Sequence, residues 1–322
     1  MNRRDAVLAL LALGTPLRLM AQPAAAGVPR VGLLISGSAE ASGHLARAFI
    51  MGMTDLGYQD GKNVRYEFRH GDGSDEKLRR NAAELVAAKV DLIWAPANAA
   101  IAAAQKATLS LPIIFAIVSD PVASGFVRSL PRPGTNATGI TSMTAETGAK
   151  RIQLLDEIVP NLRRIGVLQN PVDSASGPQL SSVQQGARAL GKELMVVEAR
   201  APEEFSDAFA KLAAWHANAL VILDCSLYFF HRKTLSSLAA KHRWPTLTNA
   251  EAGGVIAYGV DYSDNCRRSA VYVDKILKGA KPADLPVQQP TKFEYVLNLK
   301  AAKAMGLVIP KAVLLRADRV IE

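Results

Sequence analysis

Two aspartates stand where short apolar runs end, and they could take part in acid–base chemistry. Asp120 follows the run from Pro112 to Val118, and Asp224 follows the run from Ala219 to Leu223. A pair of carboxyl groups can act as general acid and general base. No nucleophile–base pair and no metal-ligand pattern in the sequence supports that role, so a counter-ion for a ligand ammonium, or a loop cap, is the simpler prediction for both.

Motifs for nucleotide binding and hydrolysis are missing from the sequence. The glycines from Gly37 to Gly43 lack G-x-G-x-x-G spacing, and neither G-x-x-x-x-G-K-[ST] nor G-x-S-x-G occurs. The histidines do not pair at metal-ligand spacing with each other or with a cysteine. We therefore expect no metal site, no cofactor and no enzymatic activity. The histidines, expected to serve surface or packing roles, are His44, His70, His216, His231 and His242.

Small polar residues follow many of the apolar runs. If the runs are parallel strands, these residues gather at the carboxyl edges of the sheets, where open α/β sheets bind ligands. Hydroxyls, amides and a few carboxylates are typical of a binding cleft, although about half of them are expected to be turn and cap residues. Tyr258 or Tyr228 would supply an apolar wall. The predicted ligand contacts are Ser36, Gly37, Ser38, Ala97, Asn98, Ser119, Asp120, Asn170, Asp224, Ser226, Asn249, Tyr258 and Asp261.

The elements that must position these residues form two series of strands and helices, separated by the Pro- and Gly-rich break from Leu130 to Gly134. Strands that alternate with helices of 10–15 residues indicate right-handed crossovers and mainly parallel sheets. The fold class is therefore α/β, with two Rossmann-like lobes joined by a hinge of three crossings.

We expect the first crossing at Ser119-Asp120-Pro121. The predicted first lobe comprises residues 27–120 and about 260–284, and the predicted second lobe comprises residues 121–259 and about 285–322.

The amino terminus has the pattern of an export signal. Arg3 and Arg4 precede an apolar run from Ala6 to Leu13, and small residues follow up to Ala26. The run is too short to span a bilayer, and the arginine pair indicates the twin-arginine route. Residues 1–26 are thus predicted to be a signal peptide, cleaved after Ala21 or Ala26, that leaves a soluble periplasmic protein without a membrane anchor.

The charge distribution bears on nucleic-acid binding, and the cysteine content bears on disulfide formation. The chain has 38 Lys and Arg against 29 Asp and Glu, a net charge of +9, but the basic residues are scattered rather than clustered. Nucleic-acid binding usually requires a basic stripe or patch, so we expect no nucleic-acid partner. The two cysteines, Cys225 and Cys266, do not make a disulfide framework, and we expect free thiols and a monomeric protein.

Several longer stretches resemble those of the substrate-binding proteins of ABC transporters related to the tryptophan- and tyrosine-binding type. The stretches are DLGYQDGKNV, PIIFAIVSDPV, SLPRPGTNATGIT and ILKGAKPADLPVQQPTKFE. The resemblance covers nearly all of the chain after the signal. It implies a type I periplasmic binding protein in which two lobes close over one small ligand and dock on a membrane permease. By position, it adds Thr141 to the expected ligand contacts.

The resemblance implies capture of an amino acid, an aromatic acid or a related compound in the cleft between the lobes. Two other functions remain open at this point. A closing two-lobed protein could instead report its ligand to a membrane receptor, and an exported α/β enzyme is the third possibility.

Overall fold

The computed structural model describes residues 27–248 and 254–322, so the predicted signal peptide and Asn249 lie outside the described residues. Five parallel strands form the first sheet, in the order β2-β1-β3-β4-β5. Four of these strands are almost entirely buried because helices cover both faces of the sheet, whereas the edge strand Arg65–His70 is polar and partly exposed. The strands are β1 (Arg30–Ile35), β2 (Arg65–His70), β3 (Leu92–Trp94), β4 (Ile113–Val118) and β5 (Ala137–Thr141).

The second sheet has seven strands in the order β12-β11-β10-β9-β8-β6-β7. Its described strand pairs are parallel apart from β10 with β11, which is antiparallel. The strands are β6 (Arg164–Gln169), β7 (Glu193–Glu198), β8 (Ala219–Ile222), β9 (Thr246–Thr248), β10 (Ile256–Gly259), β11 (Glu294–Asn298) and β12 (Arg319–Ile321).

Helices cover both faces of each sheet, as the alternating sequence pattern predicts. The first lobe consists of the five-stranded sheet with α1 (Ala39–Asp55), α2 (Asp75–Ala87), α3 (Asn98–Ala107) and α9 (Tyr262–Leu277). The second lobe consists of the seven-stranded sheet with α4 (Gly148–Ile158), α5 (Ser176–Ala189), α6 (Phe205–Ala214), α7 (Ser226–Phe230), α8 (Arg232–Lys241), α10 (Leu299–Ala304) and α11 (Lys311–Leu314).

Helix α9 returns the chain to the first lobe and packs closely on α1. Gly52 of α1 permits this approach, because a Cβ at that position would lie 2.1 Å from the backbone oxygen of Arg267. Two side chains of α9 also hold the sheet. Ser269 accepts a hydrogen bond from the Trp94 indole at 2.9 Å, and the Asn265 amide donates to the Ala116 oxygen at 3.1 Å.

The chain passes between the sheets at residues 142–147, 260–261 and 285–293, and the first of these crossings differs from the prediction. β5 pairs with β4 in the first sheet, although the predicted boundary placed residues 137–141 in the second lobe. The Asp120 carboxylate accepts hydrogen bonds from the backbone N–H groups of Val122 and Ala123 at 3.0 and 2.9 Å. These bonds close a turn that leads the chain back to its own sheet, so Ser119-Asp120-Pro121 is not a crossing.

Every helix in residues 27–248 and 254–322 is too short or too polar to cross a bilayer. Cys225 and Cys266 are not joined in a disulfide.

Candidate functional site

A cavity lies between the two lobes, at the carboxyl ends of β1, β3, β4 and β8. This is where parallel strands deliver loop residues to a ligand. The first lobe contributes Ile35, Ser36, Ser42, Leu45, Ala46, Trp94, Pro96, Ala97, Asn98, Ile117, Ser119 and Tyr262. The first crossing and the second lobe contribute Ser142, Thr144, Asp173, Asp224, Cys225, Ser226, Phe229 and Phe230.

Three serines of the first lobe line this cavity, and their hydroxyls have no hydrogen-bond partner among the described residues. They belong to Ser36 at the end of β1, Ser42 on α1 and Ser119 after β4. All three residues are buried, at 6%, 1% and 4% exposure. A buried polar group without a partner costs about 1–3 kcal/mol, and a molecule that bonded to these hydroxyls would remove that cost.

Asn98 is the first residue of α3, and both the oxygen and the nitrogen of its side-chain amide make hydrogen bonds in the cavity wall. Its oxygen accepts the backbone N–H of Ser119 at 3.2 Å. Its nitrogen donates to the hydroxyl of Ser124 in the first lobe at 3.3 Å and to that of Ser174 in the second lobe at 3.2 Å. The Asn98 amide therefore connects the two lobes directly.

Asp224 is fixed in place by two helices of the second lobe. Its carboxylate accepts a hydrogen bond from Arg151 of α4 at 2.9 Å, and the arginine is buried. Gln179 of α5 makes two bonds of 2.8 Å to the Asp224 backbone, one to its N–H and one to its oxygen. A buried carboxylate requires such pairing, so the Arg151 guanidinium neutralises Asp224.

Asp173 is the second carboxylate of the cavity, and no ion pair of the described residues includes it. Its oxygen accepts the backbone N–H of Ala175 at 2.9 Å. Burial, helped by the charge of Asp75 on the facing lobe, raises the pKa of Asp173 to about 6. A cation in the cavity would remove this penalty, because an opposite charge favours the ionised carboxylate.

Helix α7 supplies two aromatic residues of the cavity wall, which the sequence analysis did not predict. Phe229 and Phe230 line the cavity, and the ring of Phe230 packs on the backbone of Gly37, where a Cβ would lie 2.1 Å from its Cε1. Beside this wall, burial raises the pKa of the Cys225 thiol well above its usual range.

Neither tyrosine predicted for the apolar wall lines this cavity. The Tyr228 hydroxyl donates to the Ala199 oxygen at 2.8 Å inside the second lobe. The Tyr258 ring stacks on Phe293, with 5.8 Å between the ring centroids.

The cavity brings together six of the predicted ligand contacts, which are Ser36, Ala97, Asn98, Ser119, Asp224 and Ser226. Others lie beside it and hold the backbone. Ser38 and Asp261 cap α1 and α9, with bonds of 3.2 and 3.0 Å to backbone N–H groups. The Thr141 hydroxyl donates to the backbone oxygens of Val118 and Ser119 at 2.9 and 3.0 Å.

The remaining predicted contacts lie elsewhere. Asp120 closes the turn after β4, and Gly37 packs under Phe230. Asn170 lies outside the cavity wall, and its side chain accepts the Val172 N–H at 3.3 Å. Sequence reasoning missed Arg151, Asp173 and the two phenylalanines. Asp173 could have been found from its position in the loop that begins with Asn170-Pro171, after β6.

This arrangement is suited to holding a small molecule between donors, carboxylates and aromatic rings. Such a concave, mainly apolar site with a few convergent polar groups is typical of ligand pockets. Within residues 27–248 and 254–322, no group of three His, Cys, Asp or Glu side chains is placed to hold a metal ion.

Comparisons with known proteins agree with this geometry. The chain is 26% identical over 265 residues to a tyrosine-binding protein of Clostridioides difficile, covering 81% of this chain and 76% of the relative. It is 26% identical to the ABC domain solved in complex with L-Trp from Streptococcus pneumonia, with a TM-score of 0.85 and coverage of 91% and 99%. A ligand-free, open substrate-binding protein from Clostridium difficile is 23% identical, with a TM-score of 0.65 and coverage of 92% and 99%.

The family model for ABC transporter substrate binding proteins matches residues 31–321, which is nearly all of the described chain. The two lobes with mainly parallel sheets, and the polar and aromatic cavity between them, are consistent with that match. The chain belongs to the family of ABC transporter substrate-binding proteins.

Proposed function

We propose that this protein is an exported solute-binding protein that captures an amino acid with an aromatic side chain and delivers it to the permease of an ABC importer. The observation that carries the proposal is the charge of the cavity. Among the described residues that line it are two carboxylates and no lysine, arginine or histidine. Because Arg151 already neutralises Asp224, Asp173 is the group that needs a cationic partner.

An α-ammonium group bound at Asp173 supplies that partner. The unpartnered hydroxyls of Ser36, Ser42 and Ser119 then hold the polar atoms on the side of the first lobe, and Phe229 and Phe230 pack on the aromatic body.

Contacts from both lobes explain how binding drives closure. A ligand that touches the serines of one lobe and Asp173 of the other has more contacts when the lobes are shut, so it shifts the population toward the closed form. The relatives that bind tyrosine or L-Trp support an aromatic amino acid as the ligand.

Calorimetry and thermal shift with matched ligands test the proposal. L-Tryptophan and L-tyrosine are compared with indole-3-propionate, which keeps the ring and the carboxylate of tryptophan but lacks the ammonium. A ligand that binds the native state raises the melting temperature by mass action. We expect stabilisation by at least one of the two amino acids and none by indole-3-propionate. Equal binding of indole-3-propionate, or no binding of either amino acid, would contradict the proposal.

A further inference from the structure

The Asn98 amide occupies the boundary between two spaces in the interlobe region. On one side is the ligand cavity. On the other is a wider outer cleft, which we define by Arg79 and Lys106 of the first lobe and Val172 and Arg200 of the second. Both spaces are lined by Ser36, Asn98, Asp173 and Ser226. These four residues therefore form the partition between the cavity and the cleft, two from each lobe.

Among the residues of the partition, Asn98 makes a hydrogen bond from one lobe to the other. Asn98 is 8% exposed, and its amide nitrogen has a separate proton for each of two hydroxyls, Ser124 on its own lobe and Ser174 on the facing lobe. The bond from the Ser119 N–H fixes the amide plane. The donor is therefore oriented before the second lobe arrives.

An amide suits this position better than a charged side chain. A carboxylate would add a negative charge beside Asp173, whose pKa burial already raises. A lysine or arginine would compete with the ligand ammonium for Asp173. The neutral amide joins the lobes without changing the charge of the cavity.

We propose that Asn98 is a positioning residue that latches the closed protein through Ser174 and so slows escape of the ligand into the outer cleft. The inference rests on the proposed function for the identity of the ligand. The latch itself requires only that the two lobes open and close.

Two serine variants distinguish a latch between the lobes from a purely local structural role of Asn98 at the start of α3. Ser174→Ala removes the hydroxyl on the far lobe, and Ser124→Ala removes the hydroxyl on the near lobe, so each deletes one partner of the same nitrogen. A net hydrogen bond contributes about 1 kcal/mol, which is roughly a fivefold change in an equilibrium. We expect S174A to lower the closed-to-open ratio about fivefold and S124A to leave it near that of the wild type.

The ratio is measured by single-molecule fluorescence transfer between dyes on the two lobes, without ligand and with saturating L-tryptophan. Stopped-flow release of L-tryptophan gives the second measurement, in which we expect S174A to release the ligand about fivefold faster. Asn98→Ala serves as the second variant and should match or exceed S174A in both measurements. If S174A and N98A leave the closed-to-open ratio unchanged, the latch is refuted. If neither L-tryptophan nor L-tyrosine binds, the proposed ligand class fails, while the ligand-free ratio still decides the latch.

Discussion

At the scale of single residues, Asp173 and Asp224 show how one functional group takes two roles in the same cavity. Arg151 neutralises Asp224, and Gln179 fixes its backbone. Asp173 has only a backbone N–H donor among its described bonds and faces Asp75 across the cleft. The environment of each carboxylate therefore makes Asp224 part of the framework and Asp173 the group available to a cation.

The raised pKa of Asp173 predicts how stability depends on pH. Because the pKa rises from 3.8 in the unfolded chain to about 6 in the folded protein, the folded state binds more protons between these values. Stability should therefore fall as the pH rises from about 4 to about 6. Asp173→Asn should remove this fall in urea unfolding at pH 4, 5, 6 and 7, whereas Asp120→Asn, in a turn outside the cavity, should keep it.

Ligand binding should show the opposite trend with pH. An ammonium favours the ionised Asp173, so the affinity for L-tryptophan should increase from pH 5 to pH 7 in the wild type and stay nearly flat in D173N. If the stability and affinity curves of D173N run parallel to those of the wild type, Asp173 is not the titrating group.

The sequence could predict site residues that end buried strands, but not which ones turn toward the cavity. Ser36, Ser119 and Asp224 follow buried strands and line the cavity. Asp120 and Asp261 have similar sequence signals, yet their carboxylates accept backbone N–H groups of a local turn and a helix start. The difference depends on how the two lobes pack, and no local pattern contains that information.

At the scale of elements, the close contact of α1 with α9 depends on Gly52. A side chain there would press on the backbone oxygen of Arg267, which cannot rotate away as a flexible side chain can. The geometry of this helix pair is therefore set by a residue that has no side chain to contribute to the core.

Gly52→Ala should destabilise the protein by about 1–3 kcal/mol, the usual effect of overpacking. Gly43→Ala on the same helix is the matched control, because its new Cβ would meet only the flexible end of Arg47 at 3.1 Å. The control should be neutral or stabilising by up to about 1 kcal/mol, since alanine favours helix more than glycine does. Urea unfolding measures both changes, and an equal effect at the two positions would contradict the packing argument.

The sequence predicts the elements correctly where strands and helices alternate over a long stretch. It fails where a strand pairs with a partner distant in the sequence, or where a helix is very short. Two alternating series predict two mainly parallel sheets, and the structure has them. β5 was assigned to the wrong lobe because its partner, β4, is chosen by pairing across an irregular loop. α7 has five residues, too few for a helical period to show, and so the aromatic wall that it carries was missed.

At the scale of the whole molecule, binding and shape should be coupled. The cavity is lined from both lobes and the Asn98 bond to Ser174 spans them, so the closed form is the more compact one. Small-angle X-ray scattering should show a smaller radius of gyration after L-tryptophan is added to ligand-free protein. An unchanged radius in a sample for which calorimetry shows binding would mean that capture does not require closure.

The return of α9 to the first lobe also constrains the order in which the chain can fold. Buried surfaces of α1 and of the Trp94 side of the first sheet are covered by residues that follow the first ten strands along the chain. During synthesis, the first lobe cannot bury these surfaces until Leu277 has been made, by which time most of the second lobe is available. The amino-terminal half is therefore not an independent folding unit, and its early strands must wait, with apolar surface uncovered, for a segment made well over a hundred residues later.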